Sequence, residues 1–580
     1  MTPIQHTTLD GAGGWAGGSV AELVAEYLML RGVRRVYGLC GGHIQPLWDA
    51  LARCGIPIVD VRHECAAVLM AHAEAELTGQ PGVALVTAGP GLTNAVTGIA
   101  NASASRIPVL VLSARPPRPQ AGRGALQELP QREVVAPLCR AALTARDPRR
   151  VLPHLDAVLM AALGRHGPPG PAYLDFPTDV LTGQADPADV RDWRIGPLGP
   201  PQLLPDPGDV ARAQRLIDAA RRPIVIAGRG AREASTGLSR LLDATGMLYL
   251  DTGESRGVIP NTHPSAVPAM RGRAMREADL VITLDRGLNF QLAYGSSAIF
   301  RPDATFLRVG RYHEGTADNR RGEVEIHCSV AAFVEALEGI ARPPSLDTRW
   351  LEELRAADQD AARRLADRLH QEPPGADGLM HPYQLLGAVN RLIDDDTIVV
   401  ADGGDILSFV RIALYARTYL DCGAFGCLGV GVPFANAAAL AEPGRRVIAI
   451  IGDGSFGFTA MEMDTAARHG LPVTYVIANN EAWNIEKTDQ MQRFAGRAVG
   501  VDLPGCRYDL LAKALGVAGR RVEDPGELIE ALHWAQHDTP ALVDVRVTQD
   551  AESPDSIAGL ATVPPQQALT KWNDAEAAAR

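Results

Sequence analysis

Positive charge is scarce in this sequence of 580 residues, and lysine is nearly absent from it. The only lysines are Lys487, Lys513 and Lys571, and 56 basic residues face 68 acidic ones, which gives a net charge of −12. Nucleic acids and anionic membranes bind to clustered positive charge, so neither partner is expected. A small anionic ligand needs only a local pocket and stays possible.

Cysteine motifs and a leader segment are also missing. The eight cysteines include no CxxC and no Cys/His cluster, which leaves a zinc or redox motif unsupported. In a chain of this length we expect buried free thiols and no disulfide framework. The first residues lack a basic segment followed by an apolar core, so no signal peptide is predicted.

One uncharged stretch, Cys422 to Ala441, has about the length of a membrane span. Its four glycines, its proline and its asparagine favour a buried loop that leads into a core helix. The expectation is therefore a soluble cytoplasmic protein without a membrane partner.

Short apolar runs alternate with helical stretches along most of the chain, as buried parallel strands do in α/β proteins. At roughly 100–200 residues per domain, the length suggests about three domains. We predict an α/β fold of three doubly wound parallel-sheet domains, of which the first and third are similar. The predicted strands are Val33–Leu39, Ile56–Arg62, Val83–Thr87, Ile107–Ser113, Ala172–Phe176, Pro223–Ala227, Met247–Leu250, Leu280–Leu284, Thr305–Val309, Thr397–Ala401, Val447–Ile451, Val473–Ala478 and Ala541–Val547.

The local amino-acid composition predicts where the domains begin and end. Linkers are predicted at about 196–207, which is rich in Pro and Gly, and at 372–378, after a charged helix over Thr348–Gln371. The expected segments are a flexible Gly-rich lead (1–18), a first domain (19–185), a middle domain (200–345), a third domain (375–550) and a Pro- and Ala-rich tail (551–580).

The strongest local signal is a pair of motifs in the third domain. Gly-Asp-Gly-Ser at 452–455 follows one predicted strand and Asn-Asn at 479–480 follows the next, with 24 residues between the second glycine and the first asparagine. Ligands of open α/β sheets bind at the carboxyl ends of strands, where glycines let backbone N–H groups approach a phosphate. Asp453 and Asn480 offer the oxygen ligands that Mg²⁺ prefers. A diphosphate bridged to the protein by Mg²⁺ fits these residues.

With both motifs present, residues 19–550 resemble the thiamine diphosphate (ThDP)-dependent decarboxylase and carboligase superfamily, and look like acetolactate synthases and benzaldehyde lyase in particular. The resemblance implies a pyrimidine-binding (Pyr) domain, a middle domain and a diphosphate-binding (PP) domain, in that order. It implies Mg²⁺ ligands at Asp453, the Asn480 side chain and the Ala482 carbonyl. The cofactor-binding residues that this motif pair implies are Gly452, Asp453, Gly454, Ser455, Asn480 and Ala482.

Glu64 is the first catalytic candidate. It follows Arg62-His63 at the end of a predicted strand and begins a helix, where an acid often serves only the helix dipole. In the resembled family a glutamate at this point hydrogen-bonds N1′ of the aminopyrimidine and activates C2 of the cofactor, a task for a partly buried carboxylate. The resemblance implies the same role for Glu64.

The Gly-rich segment 422–431 resembles the family segment that holds the cofactor bent. The resemblance implies that the Gly426 carbonyl accepts a hydrogen bond from N4′ and that Leu428 wedges between the two rings. Alone, this segment would be interpreted as an ordinary loop.

Gly404 falls where family backbone amides meet the diphosphate, and the adjacent Asp405 should repel a phosphate unless its side chain points away or meets a cation.

Further candidates come from shorter matches. Gln127, in Leu-Gln-Glu, resembles the family's FQE segment, which would bring its amide into the active site. His43 aligns with an active-site histidine of benzaldehyde lyase and could shuttle a proton, or be only a satisfied polar residue. On the substrate side, Trp483 and Ile485 could shape an acyl pocket or pack a helix. Glu486 could read the substrate or lie exposed.

The middle domain departs from acetolactate synthases. Leu-Asp-Arg-Gly at 284–287 replaces their Arg-Phe-Asp stretch, and 268–275 lacks the Gly-Met-His-Gly pattern. Both departures argue against FAD and against strict acetolactate synthesis. Gly-Arg-Gly at 228–230 is too short to indicate a dinucleotide site, which favours a vestigial cofactor domain.

We therefore expect a ThDP- and Mg²⁺-dependent carboligase or lyase that acts on a 2-oxo acid or a 2-hydroxyketone and forms an acyloin. A plain 2-oxo acid decarboxylase, a non-catalytic ThDP-binding paralogue and a nucleotide-dependent oxidoreductase are the alternatives. In the resembled family the glutamate and the diphosphate motif come from different subunits. The resemblance thus implies a homodimer as the minimal active unit, with a homotetramer common.

Overall fold

The computed structural model describes residues 7–8, 17–190, 193–195, 198, 202–338 and 345–557. Most of the predicted lead at 1–18, parts of the first linker and the tail beyond residue 557 lie outside these described residues. Within them, three parallel sheets, each covered by helices, follow one another along the chain, as the alternating pattern predicts.

The first domain is built on a sheet of six parallel strands, with two short antiparallel pairs beside it. Its strands are β1 (Thr7–Thr8), β2 (Gly18–Ser19), β3 (Val36–Gly38), β4 (Ile58–Asp60), β5 (Gly82–Val86), β6 (Val109–Arg115), β7 (Ala142–Thr144), β8 (Ala172–Pro177), β9 (Gln184–Ala185) and β10 (Arg194–Ile195). Its helices are α1 (Val20–Leu30), α2 (Gln45–Arg53), α3 (Glu64–Thr78), α4 (Pro90–Ala104), α5 (Gln131–Val135), α6 (Val151–Ala162), α7 (Thr178–Leu181) and α8 (Pro187–Val190).

The middle domain has a sheet of five parallel strands in the order β12-β11-β13-β14-β15, where the strands are β11 (Pro223–Ala227), β12 (Leu248–Leu250), β13 (Leu280–Leu284), β14 (Thr305–Gly310) and β15 (Val324–His327). Its helices are α9 (Pro207–Ala219), α10 (Ser235–Thr245), α11 (Arg271–Glu277), α12 (His313–Thr316), α13 (Val330–Glu338) and the long charged α14 (Thr348–Gln371), which leads to the third domain.

The third domain has a sheet of six parallel strands: β16 (Ile398–Asp402), β17 (Thr418–Leu420), β18 (Val447–Gly452), β19 (Val473–Asn479), β20 (Ala518–Val522) and β21 (Ala541–Arg546). Its helices are α15 (Pro382–Asn390), α16 (Asp405–Ala413), α17 (Gly431–Ala441), α18 (Asp453–Thr459), α19 (Glu462–Arg468), α20 (Asn484–Arg493), α21 (Tyr508–Ala514), α22 (Pro525–His537) and α23 (Pro554–Ile557).

The first and third sheets share one topology. Their strand orders are β4-β3-β5-β6-β8-β7 and β17-β16-β18-β19-β21-β20. When the six strands of each sheet are counted along the chain, their spatial order is the same in both sheets. The two domains pack through α3 and α17, and their buried residues merge into one hydrophobic cluster. The expected likeness of the two domains is confirmed.

Several details differ from the sequence-based expectations. Two strands are shorter than predicted, because the residues that flank them lie in loops: β3 replaces Val33–Leu39 and β4 replaces Ile56–Arg62. Four strands of the three parallel sheets were missed, namely β7, β15, β17 and β20, and so were the two-residue strands β1, β2, β9 and β10. The prediction that the thiols are buried is wrong for Cys40 and Cys506, which are exposed on loops, although all eight cysteines are free.

The uncharged stretch 422–441 contains a short 3-10 turn followed by the buried helix α17. The predicted core helix is confirmed, but the loop before it is not fully buried, because Phe425 and Gly426 are exposed. None of the helices in the described part of the chain is long and apolar enough to cross a membrane.

Candidate active site

The carboxyl ends of three neighbouring strands meet at one edge of the third sheet. Asp402, the last residue of β16, pairs with Ile451 in β18, and Gly452, the last residue of β18, pairs with Ala478 in β19. The apolar residues of these strands are buried up to this edge, and polar side chains occur where the strands end. Turns and helices that follow these strands must therefore form any ligand site here.

A cavity of about 1180 Å³ opens at this edge. It is lined by every residue of the third domain that the sequence assigned to cofactor, metal or substrate. These residues are Gly404, Gly426, Leu428, Gly452, Asp453, Gly454, Ser455, Asn480, Ala482, Trp483, Ile485 and Glu486.

Asp453 is buried in the wall of this cavity, with 3% of its surface exposed. Its Oδ2 atom is buried without a hydrogen-bond partner. Burial raises the pKa of Asp453 to about 7, although hydrogen bonds from the backbone N–H groups of Gly454, Glu481 and Ala482 act in the opposite direction. A buried carboxylate oxygen that lacks a donor is suited to a cation.

The Asn-Asn turn lies beside this carboxylate, because the backbone N–H groups of Glu481 and Ala482 approach it. Oδ1 of Asn480 accepts a hydrogen bond from the Ala482 backbone N–H at 3.1 Å and keeps a second lone pair. Between these two residues Glu481 has φ +56, a left-handed conformation that is uncommon for a residue other than glycine. The side chain of Gln549 donates to the Asn480 carbonyl at 2.6 Å and so fixes the turn.

Two glycines of the cavity wall are needed for close packing. A Cβ at Gly454 would lie 2.5 Å from the Trp483 ring, and a Cβ at Gly404 would lie 2.8 Å from Cγ2 of Ile485. Trp483 and Ile485 thus both pack on the glycine turns and line the cavity. Glu486 lines the cavity and is exposed.

Asp402 stabilises this edge of the sheet, a role that no motif in the sequence indicates. It is fully buried, and its Oδ2 accepts hydrogen bonds from the backbone N–H groups of Gly429 and Gly431, at 3.0 and 2.8 Å. Its Oδ1 accepts from the Ser455 hydroxyl at 3.1 Å. Burial raises the pKa of Asp402 to about 6. This residue joins the turn after Leu428 to the Gly-Asp-Gly-Ser motif.

Asp405 does not point away from the cavity. It occupies the first position of α16, as Asp453 does in α18, and it lines the same cavity. Its Oδ2 accepts a hydrogen bond from the side-chain amide of Asn484 at 3.2 Å. Burial raises the pKa of Asp405 to about 6. Asp405 thus lines the same cavity as the Gly-Asp-Gly-Ser motif, and the repulsion between its carboxylate and a phosphate that the sequence led us to expect applies to this site.

The candidates of the first domain gather around another turn, Thr87–Gly91. A Cβ at Gly91 would lie 3.4 Å from Oε1 of Glu64, and a Cβ at Gly89 would lie 2.9 Å from Cβ of Gln127. Gln127 has φ +61, a second left-handed residue at a predicted site.

His43 lies near the same turn, on a 3-10 turn at Gly42–Ile44. The preceding Gly41 packs on Thr87, where a Cβ would lie 2.4 Å from the threonine Cβ. The Nδ1 atom of His43 is buried without a hydrogen-bond partner. These contacts bring all three catalytic candidates to the Thr87–Gly91 turn.

Glu64 is 5% exposed at the start of α3, and the Asn94 side chain donates to its Oε2 at 3.0 Å. The backbone N–H groups of Arg62 and His63, just before it, donate to Glu462 of the third domain, both at 3.0 Å. Glu462 is 1% exposed and was missed in the sequence, because its contact spans about 400 residues.

Within one chain the two groups of candidates do not share a cavity. Glu64, His43 and Gln127 are absent from the lining of the cavity that contains Asp453, although all three are among the described residues. A site that needs both groups is therefore incomplete in a single chain.

The far end of the cavity reaches the middle domain. Arg286, 3% exposed, lines it and donates to Asn289 and Gln291, while its Nε has no partner. The neighbouring Asp285 has φ +50, and its carboxylate accepts a hydrogen bond from the Gly230 backbone N–H at 3.0 Å. The Gly-Arg-Gly turn is thus bound by a side chain of its own domain.

Clusters of three or more His, Cys, Asp or Glu side chains able to hold a metal do not occur among the described residues. The metal ligands expected from the sequence have a different composition, which is one carboxylate, one side-chain amide and one backbone carbonyl. Together, the parallel sheets, the glycine turns and this oxygen set define an α/β enzyme built for a phosphorylated cofactor.

Comparison with known proteins identifies that cofactor. Residues 18–134 match the N-terminal TPP binding domain of thiamine pyrophosphate enzymes, residues 210–337 match their central domain, and residues 405–545 match their C-terminal TPP binding domain. The chain belongs to the thiamine pyrophosphate enzyme family, and thiamine pyrophosphate is ThDP.

The chain is similar over most of its length to acetolactate synthases and to 2-hydroxyacyl-CoA lyases. The chain is 34% identical over 538 residues to the acetolactate synthase large subunit IlvG of Mycobacterium tuberculosis, which covers 90% of this chain and 95% of the relative. It is 32% identical over 562 residues to human 2-hydroxyacyl-CoA lyase 2, with 89% and 87% covered, and 30% identical over 560 residues to mouse 2-hydroxyacyl-CoA lyase 1, with 91% and 94% covered. The protein is a ThDP-dependent enzyme of the transferase or lyase type.

Proposed function

We propose that this protein is a Mg²⁺-dependent ThDP carboligase or lyase. It decarboxylates a 2-oxo acid, or cleaves a 2-hydroxyketone, and transfers the acyl unit to an aldehyde, a ketone or a second 2-oxo acid, which gives an acyloin. The observation that carries the proposal is the single cavity lined by all predicted residues of the third domain, with the partnerless Oδ2 of Asp453 in its wall. When bound, ThDP supplies a nucleophilic carbon and an electron sink for reactions next to a carbonyl.

We assign the metal to Asp453, the Asn480 side chain and the Ala482 carbonyl. The unpartnered Asp453 oxygen and the free lone pair of Asn480 support this assignment. The glycine turns at 403–404 and 452–454 line the cavity, where phosphate oxygens can approach their backbone N–H groups. Leu428 and the Gly426 carbonyl lie on the turn that Asp402 braces and are assigned to holding the cofactor bent.

Glu64 is assigned as the carboxylate that holds a proton against N1′ of the cofactor. Its burial and its hydrogen bond from Asn94 support a fixed, oriented carboxylate. His43 and Gln127 lie near the same turn and are assigned to the substrate side. Because these residues are absent from the cavity of their own chain, we infer that two subunits form each active site, in a homodimer or homotetramer.

We infer that the middle domain does not hold FAD. The Asp285 carboxylate already accepts the Gly230 backbone N–H that a cofactor phosphate would need, and it would repel that phosphate. The purified protein should therefore lack visible flavin absorbance. A stoichiometric flavin released by acid denaturation would contradict this inference.

A second candidate is cleavage of a 2-hydroxyacyl thioester, the activity in the names of two relatives. Arginines at the far end of the cavity favour it, because phosphate groups of a large thiol carrier can take Arg229, Arg271 and Arg286 from their present carboxylate partners, which are Glu76, Asp251 and Glu254.

Product analysis separates the candidates. The protein loaded with ThDP and Mg²⁺ is incubated with pyruvate and an aldehyde, and separately with a 2-hydroxyacyl-CoA. An acyloin with release of CO₂ supports the carboligase, and an aldehyde shorter by one carbon together with formyl-CoA supports the thioester lyase. Aldehyde as the sole product of a 2-oxo acid would identify a decarboxylase, and binding without turnover of any donor would identify a non-catalytic paralogue.

A further inference from the structure

Asp405 gives the diphosphate end of the cavity a second carboxylate. Asp405 and Asp453 each begin a helix after one of two neighbouring parallel strands, and both line the cavity. A Cβ at Gly403 would lie 3.4 Å from the backbone nitrogen of Gly452, so the two glycine turns lie close together. A phosphate bound at one turn therefore lies near the helix that begins at the other.

The charged group that acts on Asp405 is acidic: in addition to burial, Asp555 on α23 raises the pKa of Asp405. The charged residues of α16, α18, α20 and α23 that line the cavity are Asp405, Arg411, Asp453, Glu486 and Asp555. Among the lining residues in the segments 403–407, 452–455, 478–486 and 555, no lysine, arginine or histidine occurs. Lys487, the next residue along α20, donates instead to Asp502 and Gln549. On α16 itself, Arg411 is paired with Asp421.

The charge balance at this end is unfavourable for an ionised Asp405. One Mg²⁺ beside Asp453 cannot neutralise a diphosphate and two carboxylates together, and in a largely buried site the excess repulsion is strong. Burial already disfavours the charge of Asp405, since it raises the pKa of this carboxyl to about 6 before any phosphate is present. Hydrogen bonds from the side chains of Asn484 and Ser553 compensate only part of this cost.

We propose that Asp405 is a positioning residue that holds the diphosphate of ThDP as a neutral carboxylic acid, so that cofactor binding takes up one proton at this side chain. The proton comes from solvent, and the protonated carboxyl can donate its O–H to a phosphate oxygen, whereas a carboxylate can only accept. The inference rests on the proposed function, because it needs ThDP in this cavity. The affinity of the protein for ThDP then falls as pH rises, because Asp405 must take up a proton when the cofactor binds.

Proton counting by calorimetry tests the proposal. The full-length protein is titrated with ThDP at pH 7 and saturating Mg²⁺ in buffers of different ionisation enthalpy, which gives the number of protons taken up. The wild type should take up about one proton more than Asp405→Asn, because protonation changes of ThDP itself are common to both. Above pH 7 its affinity should fall by up to about tenfold per pH unit relative to this variant.

The controls separate a titrating group from a structural one. Asp405→Ser also lacks a titrating group and should match Asp405→Asn, whereas Asp555→Asn removes a neighbouring carboxylate and should keep the wild-type proton count. Equal proton counts in the wild type and both Asp405 variants would overturn the proposal while leaving ThDP binding intact. A wild type that binds no ThDP would overturn the proposed function as well.

Discussion

The side-chain amide of Asn94 donates a hydrogen bond to Oε2 of Glu64 at 3.0 Å, which ties the first residue of α3 to the helix after the Thr87–Gly91 turn. The carboxylate is thereby oriented although it is buried. A fixed acceptor with one free oxygen is what proton transfer to a bound ring nitrogen requires. The first prediction concerns this residue.

Glu64→Gln should keep the fold and bind ThDP but lose activity by at least ~100-fold at saturating ThDP and Mg²⁺, because the amide cannot exchange a proton with the cofactor. The measurement is turnover of the best donor, with deuterium exchange at C2 of bound ThDP as a second readout. Asn94→Ala is the matched control and should have a smaller effect. Full activity in Glu64→Gln would refute the assignment.

Subunit mixing tests whether the site is shared. Glu64→Gln and Asp453→Ala should each be inactive alone. After unfolding and refolding together, random dimers should recover about a quarter of the wild-type activity, because each mixed dimer has one site with both native residues. If the mixture stays inactive while wild-type protein recovers fully in the same procedure, sites shared between subunits are ruled out.

Asp402 should make stability depend on pH in the cofactor-free protein. Burial raises the pKa of its carboxyl from 3.8 to about 6, so the native state binds more protons than the unfolded state between these values. The contribution of Asp402 to stability is therefore fully present below pH ~4 and decreases as pH rises to ~6, by roughly 1–3 kcal/mol.

Urea unfolding of the wild type and Asp402→Asn across this pH range measures the effect. The stability of the wild type relative to the variant should decrease from pH ~4 to ~6 and stay constant above. A difference that does not change with pH would contradict the prediction.

Removal of the Glu462 side chain should destabilise the contact between the first and third domains. Glu462→Ala removes the acceptor of the backbone N–H groups of Arg62 and His63 in these partly buried contacts, which should cost roughly 1–3 kcal/mol. Thermal unfolding of Glu462→Ala beside Glu462→Gln gives the comparison, and the glutamine variant should lose less. Equal stability of the wild type and Glu462→Ala would show that this contact contributes nothing.

The central strands of all three sheets could be predicted because they are continuous apolar runs bounded by helices. The missed strands of these three sheets lie at sheet edges, and their hydrophobic patterns are weak. β7 and β17 have only three residues each, β15 has the charged Glu325 between its apolar residues, and β20 contains Arg520 and Arg521. Edge strands are stabilised by their neighbours in the sheet, which local sequence does not show.

The candidate site was predictable where a motif is local and not where a contact is distant. Gly452–Ser455 and Asn480 follow directly from the sequence because each follows a strand. Asp402 and Glu462 act on backbone groups 27 and about 400 residues away, and such partners are known only once the chain is folded. Asp405 was noticed in the sequence, but its place in the cavity wall required the structure.

The most direct test of the account is calorimetric titration of the metal-stripped protein with ThDP, with and without Mg²⁺, for the wild type and Asp453→Ala. The account predicts tight binding of ThDP by the wild type only when Mg²⁺ is present, and loss of this dependence in Asp453→Ala. Binding that is equally tight in Asp453→Ala and independent of Mg²⁺ would contradict the metal site. No binding of ThDP by the wild type under either condition would contradict the function itself.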